Sequence, residues 1–80
     1  MFKEIDNKLT AKFVFEDFMA AFGFMTQIAF FAERMNHHPH WSNTYNEVQI
    51  DLTTHSANNT ITGKDYLLAK KIEELYSNYE

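Results

Sequence analysis

Three of the four histidines, His37, His38 and His40, fall within four consecutive positions, and Pro39 stands among them. The fourth, His55, follows fifteen residues after His40. Imidazole is the side chain that titrates nearest neutral pH, so such a group can accept and release protons where most side chains cannot. Three chemistries are open to this set. The histidines can be solvated residues of a polar turn. His38 and His40 can form an H-x-H pair that shares a cation, with His55 or Glu33 completing the ligands. Or His37, His38 and His55 can surround an organic substrate and move its protons without a metal. Neither an H-E-x-x-H motif nor any cysteine accompanies the cluster, which leaves the metal reading with only the H-x-H spacing behind it.

The elements that must position these residues follow from hydrophobic periodicity. In KLTAKFVF, residues 8 to 15, Leu9, Ala11, Phe13 and Phe15 alternate with other residues, which predicts a half-buried strand. The period changes in EDFMAAFGFMTQIAFFAERMN, residues 16 to 36, where Asp17 can cap a helix that ends near Met35. NHHPHW is then a polar turn, and Trp41 to Tyr45 forms a strand or the lead into one. Val48, Ile50, Leu52 and Thr54 alternate in the next strand, which carries His55 at its end. SANNTITG reads as a loop, and Thr62 with Asp65 three positions later fits a capping box opening a last helix from about Lys64 to Ser77. The expected order is β-α-β-β-α: an α+β domain, an antiparallel sheet with helices on one face, in one unit over residues 1 to 80.

The long helix is unusually apolar. At 100° per residue, Phe18, Phe22, Ala29, Met25, Ala32, Ala21, Ile28, Met35, Phe24, Phe31 and Ala20 span an arc of about 200°. A surface helix needs roughly half of that to cover one core. One half of the arc is expected to cover the sheet, and the other, set at Ile28, Met35, Phe24, Phe31 and Ala20, to meet a second surface such as another copy of the chain. The run Phe18 to Ala32 is interrupted by Gly23, Thr26 and Gln27 and falls short of the ~20 residues of a membrane span.

Composition narrows the function classes. Eighty residues can form one small domain whose burial alone gives marginal stability, and without cysteine no disulfide supplements it. Thirteen aromatic rings, eight Phe, four Tyr and one Trp, supply the buried mass instead. A net charge of −4 with scattered Lys and Arg speaks against nucleic acid and anionic membranes as partners. No secretory leader pattern opens the chain, so a cytoplasmic location is expected.

Glu33-Arg34-Met35-Asn36-His37-His38-Pro39, followed at intervals of five, nine and nine residues by Tyr45, His55 and Asp65, resembles the motif of the pterin-4a-carbinolamine dehydratases. AFGFMTQIAFFAE and YNEVQIDLTTH are similar to that family's central helix and following strand, so the likeness extends over about residues 12 to 76. The resemblance implies a hydro-lyase that dehydrates 4a-hydroxytetrahydropterin to quinonoid dihydropterin and so recycles the cofactor of aromatic amino-acid hydroxylases. It implies His37, His38 and His55 as catalytic residues, with substrate contacts at Asn36, His37 and His38 and at Thr53, Thr54, His55 and Ser56. Glu33, Pro39, Trp41 and Asp65 are expected in support: Glu33 toward the pterin or a histidine, Asp65 orienting a histidine or capping the last helix. The pterin is the substrate, and no cofactor or metal is expected.

The resemblance further implies a homotetramer, a dimer of dimers joined through the central helices, here residues 18 to 35, with sheets paired across each dimer. Some family members act as dimerisation partners of a transcription factor, so a non-enzymatic docking role through the apolar helix is the alternative. Three positions depart from the family's pattern. MFKEIDN, residues 1 to 7, is too short to supply the family's opening helix and is expected to add no element. Asn36 stands where Asp is common, and the loop between His55 and Asp65 is slightly long.

Overall fold

A computed structural model describes all 80 residues. The elements run β1 (Lys3–Ile5), β2 (Lys8–Val14), α1 (Phe18–Met35), β3 (His40–Thr44), β4 (Glu47–Leu52), a 3₁₀ turn over His55–Ala57, and α2 (Gly63–Tyr76). The strands form one antiparallel sheet in the order β1-β2-β4-β3, and both helices lie on one of its faces. The chain is therefore α+β, as its periodicity implies, but with one strand more than expected.

The extra strand comes from residues 1 to 7, which were expected to add nothing. Asp6 and Asn7 adopt left-handed φ of 52° and 62°, and they close a hairpin that pairs Ile5 with Lys8. Aspartate and asparagine visit that region at low cost, and two successive left-handed residues match the twist of a two-residue hairpin. Phe2, just before β1, stacks edge-on against Phe13 at 5.7 Å, and the Tyr66 hydroxyl donates to Glu4, tying β1 to α2.

Leu9, Ala11 and Phe13 of β2 and Val48, Ile50 and Leu52 of β4 point to the helix face and are buried. Thr10, Lys12, Glu47 and Gln49 point the other way, joined by a Gln49–Thr10 hydrogen bond of 2.8 Å and a Lys12–Glu47 ion pair of 3.3 Å.

Asp17 caps α1 by accepting from the Ala20 amide at 2.8 Å. The helix buries Ala21, Phe24, Ile28 and Ala32, while Ala20, Phe31 and Met35 pack partly against the same core. This reverses the expected division of its apolar arc. Phe24 is enclosed by the rings of Phe13, Phe15, Tyr76 and Tyr79 at 4.8–5.9 Å, which fixes its half inward. The face left in water carries Phe18, Phe22 and Ala29, widened by Met19 and Phe30, the last two 81% and 68% exposed. No helix is long and apolar enough to cross a membrane.

Candidate active site

The end of α1 is set by Asn36, which takes a left-handed φ of 53° while its amide reaches back to the last turn. Asparagine suits that cap position, and the reversal lets the His37 amide bond Ala32 O at 3.1 Å. His37 is thereby folded in against the start of α2 and is buried.

There it meets Asp65, the one fully buried carboxylate. Asp65 Oδ1 lies 2.6 Å from His37 Nε2, while Oδ2 accepts from the Thr54 hydroxyl at 2.7 Å and from the Thr62 amide at 2.8 Å. The Thr62 hydroxyl completes the network 2.7 Å from that of Thr54. One carboxylate therefore closes the capping box of α2 and holds a histidine. Burial by itself would raise the Asp65 pKa. The hydrogen bonds from Thr54, Thr62 and His37, and attraction to His37, outweigh it and hold the carboxyl below its ordinary range.

A carboxylate only accepts, so Nε2 of His37 carries the proton. Nδ1 makes no hydrogen bond within the chain, and no buried side-chain nitrogen or oxygen lacks a partner, so Nδ1 is the nitrogen left open toward solvent. His55 is held in the opposite sense: its Nδ1 donates to Asn59 Oδ1 at 2.7 Å, leaving Nε2 free. His38 is more loosely placed, with Nε2 3.4 Å from Glu33 Oε1.

These residues border one cleft of about 490 Å³. Asn36, His37, His38 and Pro39 line it from the end of α1, and Thr53, Thr54, His55 and Ser56 from the end of β4. Of the expected supporting residues, Trp41 is elsewhere, while Glu33, its side chain 85% exposed, lies off the cleft wall but approaches a histidine, His38, at 3.4 Å. Trp41 pairs with Ile50 across β3 and β4 and packs against the hydrophobic core, because strand alternation turns it away from His40. Asp65 lies behind His37 rather than on the cleft wall, and Tyr45 occupies the β3–β4 turn, at the opposite end of β3 from His40. No three His, Asp or Glu side chains converge as a metal-ligand group, so His40 does not join His38 and His55 or Glu33 in one.

The family profile described as pterin 4 alpha carbinolamine dehydratase matches residues 2–75. The chain belongs to that family. A Solibacter usitatus protein that carries a provisional pterin-4-alpha-carbinolamine dehydratase name is 54% identical over 71 residues, 89% of this chain and 74% of its own length. A Prochlorococcus marinus protein with the same provisional name is 50% identical over 72 residues, 89% of this chain and 75% of its own. Among solved structures, the transcriptional coactivator/pterin dehydratase from Brucella melitensis superposes with a TM-score of 0.88 at 42% identity, covering 92% of this chain and 80% of that one. A pterin dehydratase-like protein identified as a RuBisCO assembly factor in the alpha-carboxysome shares the fold, with a TM-score of 0.75 at 17% identity over 94% of this chain and 86% of that one.

Within this dehydratase-family site, three lining residues escaped the reading of the sequence as substrate contacts: His40, Asp51 and Lys64. Asp51 faces His40 directly across the β3–β4 ladder. A signal for it existed. A two-residue turn at Tyr45 and Asn46 pairs residues whose numbers sum to 91, and His40 and Asp51 are such a pair.

Proposed function

We propose that this chain dehydrates 4a-hydroxytetrahydropterins by histidine acid/base catalysis, working in the cytoplasm to recycle the pterin cofactor of aromatic amino-acid hydroxylases. The observation that carries the reading is the meeting of His37, His38 and His55 around one cleft, two of them fixed in defined tautomers by Asp65 and Asn59. The chemistry asks for two proton movements. The C4a–O bond breaks as an imidazolium protonates the departing hydroxide. The N5–H proton passes to a bare imidazole nitrogen as the C4a=N5 bond forms. One water leaves, and the histidines return to their starting protonation once the two exchange a proton. Asn36, Thr53 and Ser56 offer amide and hydroxyl groups to the pterin's polar edges, while Thr54, its hydroxyl taken up by Asp65 and Thr62, lines the cleft and braces it. Elimination of this kind moves only protons, so no cofactor or metal is invoked.

The test is dehydration of the enzymatically generated carbinolamine by the purified chain. His37→Ala, His38→Ala and His55→Ala are each expected to lower turnover by about 10²-fold or more, with the wild-type rate unchanged by exhaustive chelation. Wild-type turnover in all three variants would refute the assignment, and loss on chelation restored by zinc would return the histidines to metal binding.

A second role has an observation of its own: the exposed apolar face of α1 around Phe18, Phe22 and Phe30. We propose that it joins copies of this chain into a tetramer through residues 18 to 35. A partner protein docked on the same face is the non-enzymatic alternative.

A further inference from the structure

His37 and His55 reach the cleft from different elements, the end of α1 and the end of β4. Two proton movements on one ring system require the two imidazoles to keep a fixed relation. The sheet ladder does not supply it. Pairing of β4 with β2 stops at Leu52 and with β3 at Asp51, so the chain has left the sheet before it reaches His55. On the open side Thr53 Oγ1 donates to Asn7 O at 3.2 Å. On the helix side the chain is held by Thr54.

Thr54 is 4% exposed and engages each of its polar groups inside the chain. Its amide donates to Thr60 O at 3.0 Å, and its carbonyl accepts from the Ala57 and Asn59 amides, both at 3.1 Å. Its hydroxyl lies 2.7 Å from Asp65 Oδ2 and 2.7 Å from Thr62 Oγ1. The sense of these bonds is fixed. A carboxylate only accepts, so Thr54 donates to Asp65. Thr62 therefore donates to Thr54, while its own oxygen accepts from the Lys64 amide at 3.3 Å. Thr54 borders the cleft, yet it has no hydrogen left to offer a ligand.

Two arms leave this residue. Through its hydroxyl it holds Asp65, whose other oxygen lies 2.6 Å from His37 Nε2. Through its carbonyl it holds the amide of Asn59, whose side-chain oxygen accepts from His55 Nδ1 at 2.7 Å. The two rings are thus the ends of one chain of hydrogen bonds, and the arms join at Thr54. We propose that Thr54 is a positioning residue that sets the His37 and His55 rings relative to one another, acting through Asp65 on one side and Asn59 on the other; the proposal rests on the dehydratase reading of the cleft. A ring displaced by a fraction of an ångström still borders the substrate, but its nitrogen no longer lines up with the proton it must give or take. Loosening Thr54 therefore slows the chemical step and spares binding.

The readouts are kcat and KM for the carbinolamine and, without substrate, the ring N–H resonances of His37 and His55, taken where circular dichroism shows each variant folded. Thr54→Val removes the hydroxyl at nearly constant shape. It is expected to lower kcat about tenfold with KM within about twofold, and to speed solvent exchange of the His37 Nε2 proton. Thr54→Ser, which keeps the hydroxyl, is expected to restore both. Asn59→Gly, suited to the φ of 58°, cuts the other arm: kcat falls and His55 loses its Nδ1–H form, with His37 unmoved. Asn46→Ala removes a 2.9 Å bond to Phe15 O at the distant β3–β4 turn, and is expected to cost stability with kcat unchanged. Wild-type kcat in Thr54→Val overturns the proposal, as does an equal loss in Thr54→Ser or in Asn46→Ala. Should Thr54→Val fail to fold, Asn59→Gly decides, and an unchanged His55 tautomer with wild-type kcat overturns it. If the wild-type chain turns over no carbinolamine, the dehydratase reading falls by itself. The resonances then judge Thr54 alone, and identical ring N–H exchange in wild type and Thr54→Val refutes its positioning role.

Discussion

Replacing Asp65 by asparagine changes almost nothing in shape and reverses one proton. The carboxylate receives three hydrogen bonds of 2.6–2.8 Å, from His37, Thr54 and the Thr62 amide. An asparagine in the same place can keep its oxygen toward Thr54 and Thr62, since both must donate. Its NH₂ group then faces His37 Nε2, which has to become an acceptor. The ring proton moves to Nδ1, the nitrogen open toward solvent, and His37 loses its free base site while staying in position. Hydrogen bonds to charged groups contribute about 1.5–3 kcal/mol each, and only the one to His37 is inverted, so the variant should lose about 1–3 kcal/mol. For a domain of this size that corresponds to a melting point lower by roughly 5–20 °C. Asp65→Ala is a harsher change, because His37 Nε2 and the Thr62 amide lose their acceptor and the Thr54 hydroxyl keeps only the Thr62 hydroxyl as a partner. The discriminating assay is carbinolamine dehydration at a temperature where circular dichroism shows Asp65→Asn to be folded. Turnover should fall about 10²–10⁴-fold with KM little changed, and the nitrogen resonances of His37 should report the exchanged tautomer. Turnover within threefold of wild type, with the tautomer exchanged, would refute the claim that Asp65 acts through His37.

Two further outcomes are expected. The Asp65 pKa is held below its unfolded value, so its contribution to stability is complete above about pH 4 and is lost as pH falls through the lower folded-state value; urea midpoints should fall across that acid range, and Asp65→Asn should flatten this part of the profile. Light scattering should give about four times the 9.5 kDa chain mass, and Phe22→Glu should lower that mass with the fold intact, whereas Phe24→Glu should unfold the chain by burying a charge; a wild-type mass near 9.5 kDa would refute assembly through this helix.

What the sequence made legible was local. The alternation of Leu9, Ala11 and Phe13 places β2 within one residue of its observed end, and Asp17 and Met35 bound α1 as expected. The Thr62–Asp65 capping box is present as its spacing implies. The convergence of His37, His38 and His55 on one cleft follows from their places at element ends. What escaped depends on neighbours far along the chain. A 200° apolar arc cannot choose which half turns inward; that choice is made by Phe13, Phe15, Tyr76 and Tyr79 around Phe24. β1 is three residues long with only Ile5 apolar, too short for any period to register. Trp41 is close to the histidines in sequence, yet one step along a strand carries a side chain to the other face.

The site owes much of its shape to a residue type that carries no reactive group. The chain has two glycines, neither at positive φ, and six non-glycine residues take left-handed backbone instead. Five of them border the clefts beside His55: Asn36 the one lined by the histidines, and Asp6, Asn7, Asn58 and Asn59 the adjoining one. Asparagine and aspartate tolerate that conformation better than other non-glycine residues, and unlike glycine they bring a polar side chain to the turn. Asn36 reverses the chain so that His37 reaches Asp65, and Asn59 returns a side-chain oxygen to His55. Glycine at either position could make the turn; at residue 59 it could not also hold the imidazole. The asparagine at residue 36 therefore suits the backbone conformation it must adopt. The turn residues and the histidines act as one device: the first group fixes the direction of the second, and the cleft is where those directions meet.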